Sequence, residues 1–177
     1  MGTWNAFYVK TPSDSDALGF LISRRFPTAR IEAGSPFTGV VLPPEAHQPP
    51  QPDMAEISTR LDTDVIWLSF QSSVDAFEYH HWRSGDLLRS LVYGCYKEER
   101  TWESVGGHPE DWEREILFDP DRLETAIEFA EDDDQKDEYR RIWREAEIRP
   151  GRMEPSLSAG GCAHKIAAVY AFPGWEH

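Results

Sequence analysis

Residues Ala76–Tyr93 read AFEYHHWRSGDLLRSLVY. Two runs rich in aromatic and branched side chains flank Ser84-Gly85-Asp86, the clearest hairpin signal in the chain. A two-residue turn at Ser84-Gly85 sets Arg83 opposite Asp86, Trp82 opposite Leu87, His80 opposite Arg89 and Glu78 opposite Leu91. Side chains alternate across a sheet, so Glu78, His80, Trp82, Leu87, Arg89, Leu91 and Tyr93 then share one face. Phe77, Tyr79, His81, Leu88, Ser90 and Val92 share the other.

Upstream of this hairpin, Val65–Phe70 (VIWLSF) is almost continuously apolar, the pattern of a central strand covered on both faces. Downstream, Thr101–Val105 adds one more strand before Gly106-Gly107 stops it. At the N-terminus, Trp4–Thr11 predicts a strand. Ser13, Asp14, Ser15 and Asp16 then offer caps for a helix that Pro27 ends. Ala29–Ala33 and Phe37–Leu42 predict two further strands around the Gly34-Ser35-Pro36 turn. Pro43–Pro52 holds five prolines in ten residues and predicts a stiff surface loop. It joins parts of one domain, because the 42 residues before it are too few for a core of their own. A short helix follows over Asp53–Leu61, with Met54, Ile57 and Leu61 on one side.

The last third is helical. His108-Pro109-Glu110-Asp111 opens a helix with Trp112, Ile116 and Leu117 as its apolar stripe, and Pro109 at the first helical position. Asp119-Pro120 starts the next, with Leu123, Ala126, Ile127 and Ala130 in phase. The apolar set resumes at Tyr139, Ile142, Trp143 and Ala146, half a turn out of phase, so a new N-cap is placed at Asp132 with Gln135 completing a capping-box-like pair. A final helix runs from about Ala163 to Tyr170. The predicted fold is a single α+β domain over 1–177. A mostly antiparallel sheet of five to seven strands carries an N-terminal strand-helix-hairpin unit, and C-terminal helices pack on the sheet.

The chain carries 18 Lys+Arg against 32 Asp+Glu, a formal charge of -14. Between Pro109 and Glu147 stand 16 acids and six bases, a net of -10, which leaves only -4 for the rest. Such acidity argues against nucleic acid and against an anionic membrane surface as partners. No run of about 18 apolar residues and no signal-peptide core are present, and two cysteines make no disulfide framework, so a cytoplasmic location is expected. Arginine outnumbers lysine 14 to four and Asn5 is the only asparagine, the usage of a GC-rich bacterial genome.

Two constellations stand out. Glu78, His80, Trp82, Arg89 and Tyr93, on one hairpin face, form a candidate ligand pocket, with Arg89 as an anion fork or Glu78 and His80 as an acid/base pair. Cross-strand polar pairing is the plainer reading. Gly160-Gly161-Cys162 places a thiol at a predicted helix start, where a thiolate is stabilised, yet Cys162 and His164 point away from each other. A base for it would have to come from His80, His81 or His108. No metal site is expected: there is no CxxC, adjacent His80 and His81 point to opposite faces, and Asp132-Asp133-Asp134 lacks calcium-loop spacing. No cofactor motif occurs, neither P-loop nor GxGxxG, GxSxG or HExxH. Among the aromatics, Trp67 is expected in the core, and Trp82, Trp102, Trp112, Trp143 and Trp175 fill it or mark a partner surface. The leading expectation is a non-enzymatic accessory protein of regulatory or immunity type, binding a basic protein through its acidic helices. The alternative is a small-molecule binder or enzyme with its pocket on the 76–93 hairpin.

Overall fold

The alternation along each strand sorts the core into two layers. The computed structural model describes residues 2–11, 15–45, 51–97, 100–152, 154 and 157–175. Within them the chain forms β1 (Thr3–Val9), α1 (Asp16–Arg25), β2 (Arg30–Glu32), β3 (Thr38–Val41), α2 (Gln51–Leu61) and β4 (Asp64–Gln71). It continues with β5 (Ala76–Arg83), β6 (Asp86–Tyr93), β7 (Trp102–Gly107), α3 (Asp111–Leu117), α4 (Pro120–Glu128), α5 (Asp133–Glu145) and α6 (Ala159–Tyr170). The strands make one sheet in the order β2-β3-β1-β4-β5-β6-β7, with every pairing antiparallel. The fold is α+β, with helices packed on the sheet.

Phe7 and Val9 of β1, Val65 and Trp67 of β4 and Trp82 of β5 face α1 and α2, where Leu18, Leu21, Ile22, Met54 and Ile57 complete one layer. The intervening residues Ala6, Tyr8, Ile66, Leu68 and Tyr79 face the opposite way. They pack with Trp112 and Ile116 of α3, Ile142 and Trp143 of α5 and Ile166 of α6 in a larger layer. Val65 to Leu68 are fully buried, as a two-faced central strand requires. The four tryptophans Trp67, Trp82, Trp102 and Trp112 are core residues, and Trp143 is 9% exposed, so none of these five forms an exposed surface.

The caps follow from local chemistry. The Ser15 side chain accepts from the Leu18 amide and starts α1; Ser13 and Asp14 lie outside the described residues. So does half of the proline-rich stretch, residues 46–50, although Gln51 and Pro52 already belong to α2. Asp119 caps α4 with Pro120 first in the helix. Asp132 accepts from the Gln135 amide, and the Gln135 side chain accepts from Glu131 N–H, which makes the break between α4 and α5. Two helix starts differ from expectation. Helix α3 begins at Asp111 after Glu110, whose N–H donates to Glu113 Oε1 at 2.9 Å, so Pro109 precedes the cap. Helix α6 begins four residues early, at Ala159, because Ser158 caps it and Gly160 and Gly161 are absorbed into its first turn.

The β5–β6 turn is the two-residue one, with Ser84 (φ 49) and Gly85 (φ 93) both left-handed, the pattern of a type I′ turn. The register beyond it is not the regular one. Trp82 pairs with Leu87 but His81 pairs with Arg89, so Leu88 is an extra residue in β6, a β-bulge. Across from it, Gly107 of β7 has φ +78, and a Cβ there would stand 1.8 Å from the Leu88 carbonyl oxygen. Only glycine lets β7 approach the bulge so closely.

Candidate functional site

The bulge decides where the expected site residues go. By moving Arg89 one step along β6, it turns Arg89, Leu91 and Tyr93 onto the face of Tyr79 and His81. Glu78, His80 and Trp82 stay on the α1–α2 face. The five candidates are therefore divided between opposite sides of the sheet and form no common pocket. Glu78 is 2% exposed, accepts from Trp67 Nε1 at 3.2 Å and from the Tyr96 hydroxyl, and burial pushes its carboxyl up. His80 is also 2% exposed, its ring centroid lies 5.6 Å from that of Trp82, and its Nδ1 has no hydrogen-bond partner among the described residues. Burial holds its pKa down at about 4. Tyr93 packs edge-on against Trp102 with ring centroids 5.1 Å apart.

On the other face, β5, β6, α3 and α6 assemble a connected set of charged groups. Arg89 donates from Nε and Nη2 to both oxygens of Glu113, at 2.7 and 2.6 Å, and from Nη1 to the carbonyls of Gly106 and Gly107. Both side chains are at most 5% exposed. A pair so deeply buried holds because almost every donor is satisfied. Next to it, Glu110 accepts from Tyr79 Oη at 2.6 Å, Trp112 Nε1 at 2.8 Å and Tyr170 Oη, while His81 Nδ1 contacts its Oε1 at 2.7 Å. His81 Nε2 meets Asp64 Oδ1 at 3.2 Å, and Lys10 Nζ reaches Asp64 Oδ2. Burial would raise Glu110, but the bonds from His81, Tyr170 and Tyr79 outweigh it and hold it at about 2. Burial would likewise lower His81, and its two carboxylates raise it instead. With both ring nitrogens occupied, His81 has no lone pair facing a substrate.

Two clefts flank this set. One, of about 700 Å³, is walled by Leu87, Leu88, Trp112 and Val169 over a floor of His81 and Glu110. Leu87, Leu88 and Val169 are 44, 39 and 54% exposed and bring apolar side chains to its lining. The other, of about 780 Å³, lies between β7, α3 and the end of α5, and its lining includes Asp111, Glu113, Glu115, Glu145 and Glu147. Gly107, Pro109, Glu110 and Asp111 line both, forming a shared ridge.

The acids of the late helices divide into two groups. Those of α5 and the turn after it, Asp134 excepted, pair with nearby bases: Asp133 with Lys136, Asp137 with Arg140, Glu138 with Arg141, and Glu145 and Glu147 with Arg149. Asp121, Glu124 and Glu128 recur at helical spacing on the exposed side of α4 and make no ion pair among the described residues. Phe129, next in the chain, is 78% exposed.

Cys162 is no activated nucleophile. It faces the core from the second turn of α6, 5% exposed, and burial pushes its thiol up to about 11. Cys95 is likewise pushed up, to about 12, with burial as the main cause. His164 is exposed, its Nδ1 on the Gly160 carbonyl oxygen. No group of three potential metal ligands occurs among the described residues. Comparison of the chain with family models, with curated proteins and with solved structures finds no match.

Glu110 and Glu113, two of the 16 acids between Pro109 and Glu147, both turn inward. One signal for this stood in the sequence: Glu110 and Glu113 bracket Trp112 at the i, i+3 spacing of a reciprocal cap. The partnership of His81 with Glu110 had none, because it joins β5 to the start of α3 across 29 residues.

Proposed function

We propose that this chain is a protein-binding module of accessory, regulatory or immunity type that engages a basic partner through its late acidic helices. The observation that carries this reading is the α4 stripe Asp121–Glu124–Glu128, unpaired among the described residues and ending at the exposed ring of Phe129. Unpaired carboxylates on one helix face steer a cationic partner, and an exposed aromatic beside them supplies the apolar anchor that makes an encounter specific. Helix α5 contributes less, since its acids other than Asp134 are held in ion pairs. The pocket alternative loses support from the division of Glu78, His80 and Trp82 from Arg89 and Tyr93.

The test is affinity capture from the native cell extract on three baits: the intact chain, the variant Asp121→Lys/Glu124→Lys/Glu128→Lys, and Phe129→Ala. The reading predicts a basic protein retained at low salt by the first bait, released by high salt and missed by the second. Phe129→Ala should weaken its retention about tenfold, the effect of a modest interface anchor. Equal retention on all three baits, or capture indifferent to salt, contradicts it.

A further inference from the structure

The two clefts beside the Glu110 network have opposite chemistry and a common wall. The cleft over His81 presents Leu87, Leu88 and Val169, all more than a third exposed, from two elements that line it, β6 and α6. Its polar floor is saturated: Glu110 takes four contacts and both nitrogens of His81 are occupied. An occupant of this half is therefore held by apolar contact. The neighbouring cleft is lined by six carboxylates and only two guanidinium groups, Arg89 and Arg114, a net of -4. Arg89 is consumed by Glu113, while Asp111 and Glu115 are exposed and make no ion pair among the described residues.

We propose that the two clefts form one bipartite docking surface for a segment of a basic partner polypeptide. A large apolar side chain of that segment sits among Leu87, Leu88 and Val169, and neighbouring Arg or Lys side chains cross the Gly107–Asp111 ridge to face Asp111 and Glu115. Charge complementarity selects this occupant. A second copy of this chain brings a further charge of -14 to an acidic cleft, and an anionic polymer or lipid surface is repelled for the same reason. The shared ridge explains why one segment, rather than two unrelated ligands, fills both halves. The assignment rests on the reading of the chain as a binder of basic proteins, and it names the groove where sequence selectivity arises, whereas the α4 stripe supplies attraction.

The experiment is a fluorescence-anisotropy titration of the full chain at near-physiological salt with three synthetic peptides of equal length. One alternates Arg and Leu, one is all Arg, and one alternates Glu and Leu. The Arg/Leu peptide is expected to bind about tenfold tighter than all-Arg, and the Glu/Leu peptide not to bind. Leu88→Asp should abolish the Arg/Leu advantage. Val169→Asp, on a different element, should do the same and guards against a misfolded hairpin. Asp111→Lys/Glu115→Lys should weaken both arginine peptides about tenfold. Equal affinity for the two arginine peptides, or an Arg/Leu advantage that survives both Leu88→Asp and Val169→Asp, overturns the groove. If binding then follows only Asp121→Lys/Glu124→Lys/Glu128→Lys, the α4 reading stands without the groove. If no surface variant changes it, both readings fall.

Discussion

Adjacent positions on β5 send His80 into the apolar layer under α2 and His81 between the carboxylates of Glu110 and Asp64. Their titrations consequently run in opposite directions. Burial depresses His80 to about 4, so the unfolded chain takes up a proton that the folded chain refuses as pH falls from about 6.5 toward 4. Stability is lost through that window, by up to about 3 kcal/mol from this residue. His81 is raised by its carboxylate partners, so its contribution is complete below about 6.5 and is lost as pH rises through its folded value. Urea unfolding of the intact chain, His80→Leu and His81→Gln between pH 4.5 and pH 9 checks both signs. Relative to the intact chain, His80→Leu should gain stability as pH falls below 6.5, and His81→Gln should gain as pH rises above it. A flat difference for His80→Leu contradicts a neutral, buried imidazole. The alternation that sets these two fates was legible from the sequence. Which face held the carboxylates was not, because Glu110 arrives from a different element.

At the scale of elements, the hairpin shows both the reach and the limit of pattern reading. Ser84-Gly85 specifies its turn through two left-handed residues, and that requirement is local. The bulge at Leu88 is not local. It exists against Gly107 of β7, nineteen residues farther on, where a Cβ would meet the Leu88 carbonyl oxygen at 1.8 Å. One extra residue reversed the face of Arg89 and Tyr93, so the expected pocket dissolved although the turn and both strands were placed correctly. The break between α4 and α5 was legible for the converse reason: apolar residues half a turn out of phase cannot share one straight helix, and the cap at Asp132 resolves this within a few residues. Gly107→Ala should therefore cost roughly 2–4 kcal/mol, since backbone rather than a mobile side chain must yield. A urea midpoint unchanged in Gly107→Ala would show that β7 does not hold the bulge.

For the whole molecule, the charge of -14 acquires a geography. Glu110 and Glu113 are turned inward and balanced by His81 and Arg89, and most acids of α5 are held in local ion pairs. Within the late helical segment, the carboxylates without an ion pair among the described residues lie on α4, around the α4–α5 junction and at the mouth of the cleft beside β7. That concentration is what makes recognition of a basic protein the central claim. Zero-length carbodiimide coupling in native extract joins a carboxylate to a lysine only where the two are in contact, and peptide mass spectrometry locates each join. The account predicts cross-links concentrated on Asp121, Glu124, Glu128, Asp111 and Glu115, all leading to lysines of one partner and suppressed by high salt. Cross-links spread evenly over surface acids such as Asp75, Asp86 and Asp137, to many unrelated proteins, would contradict it.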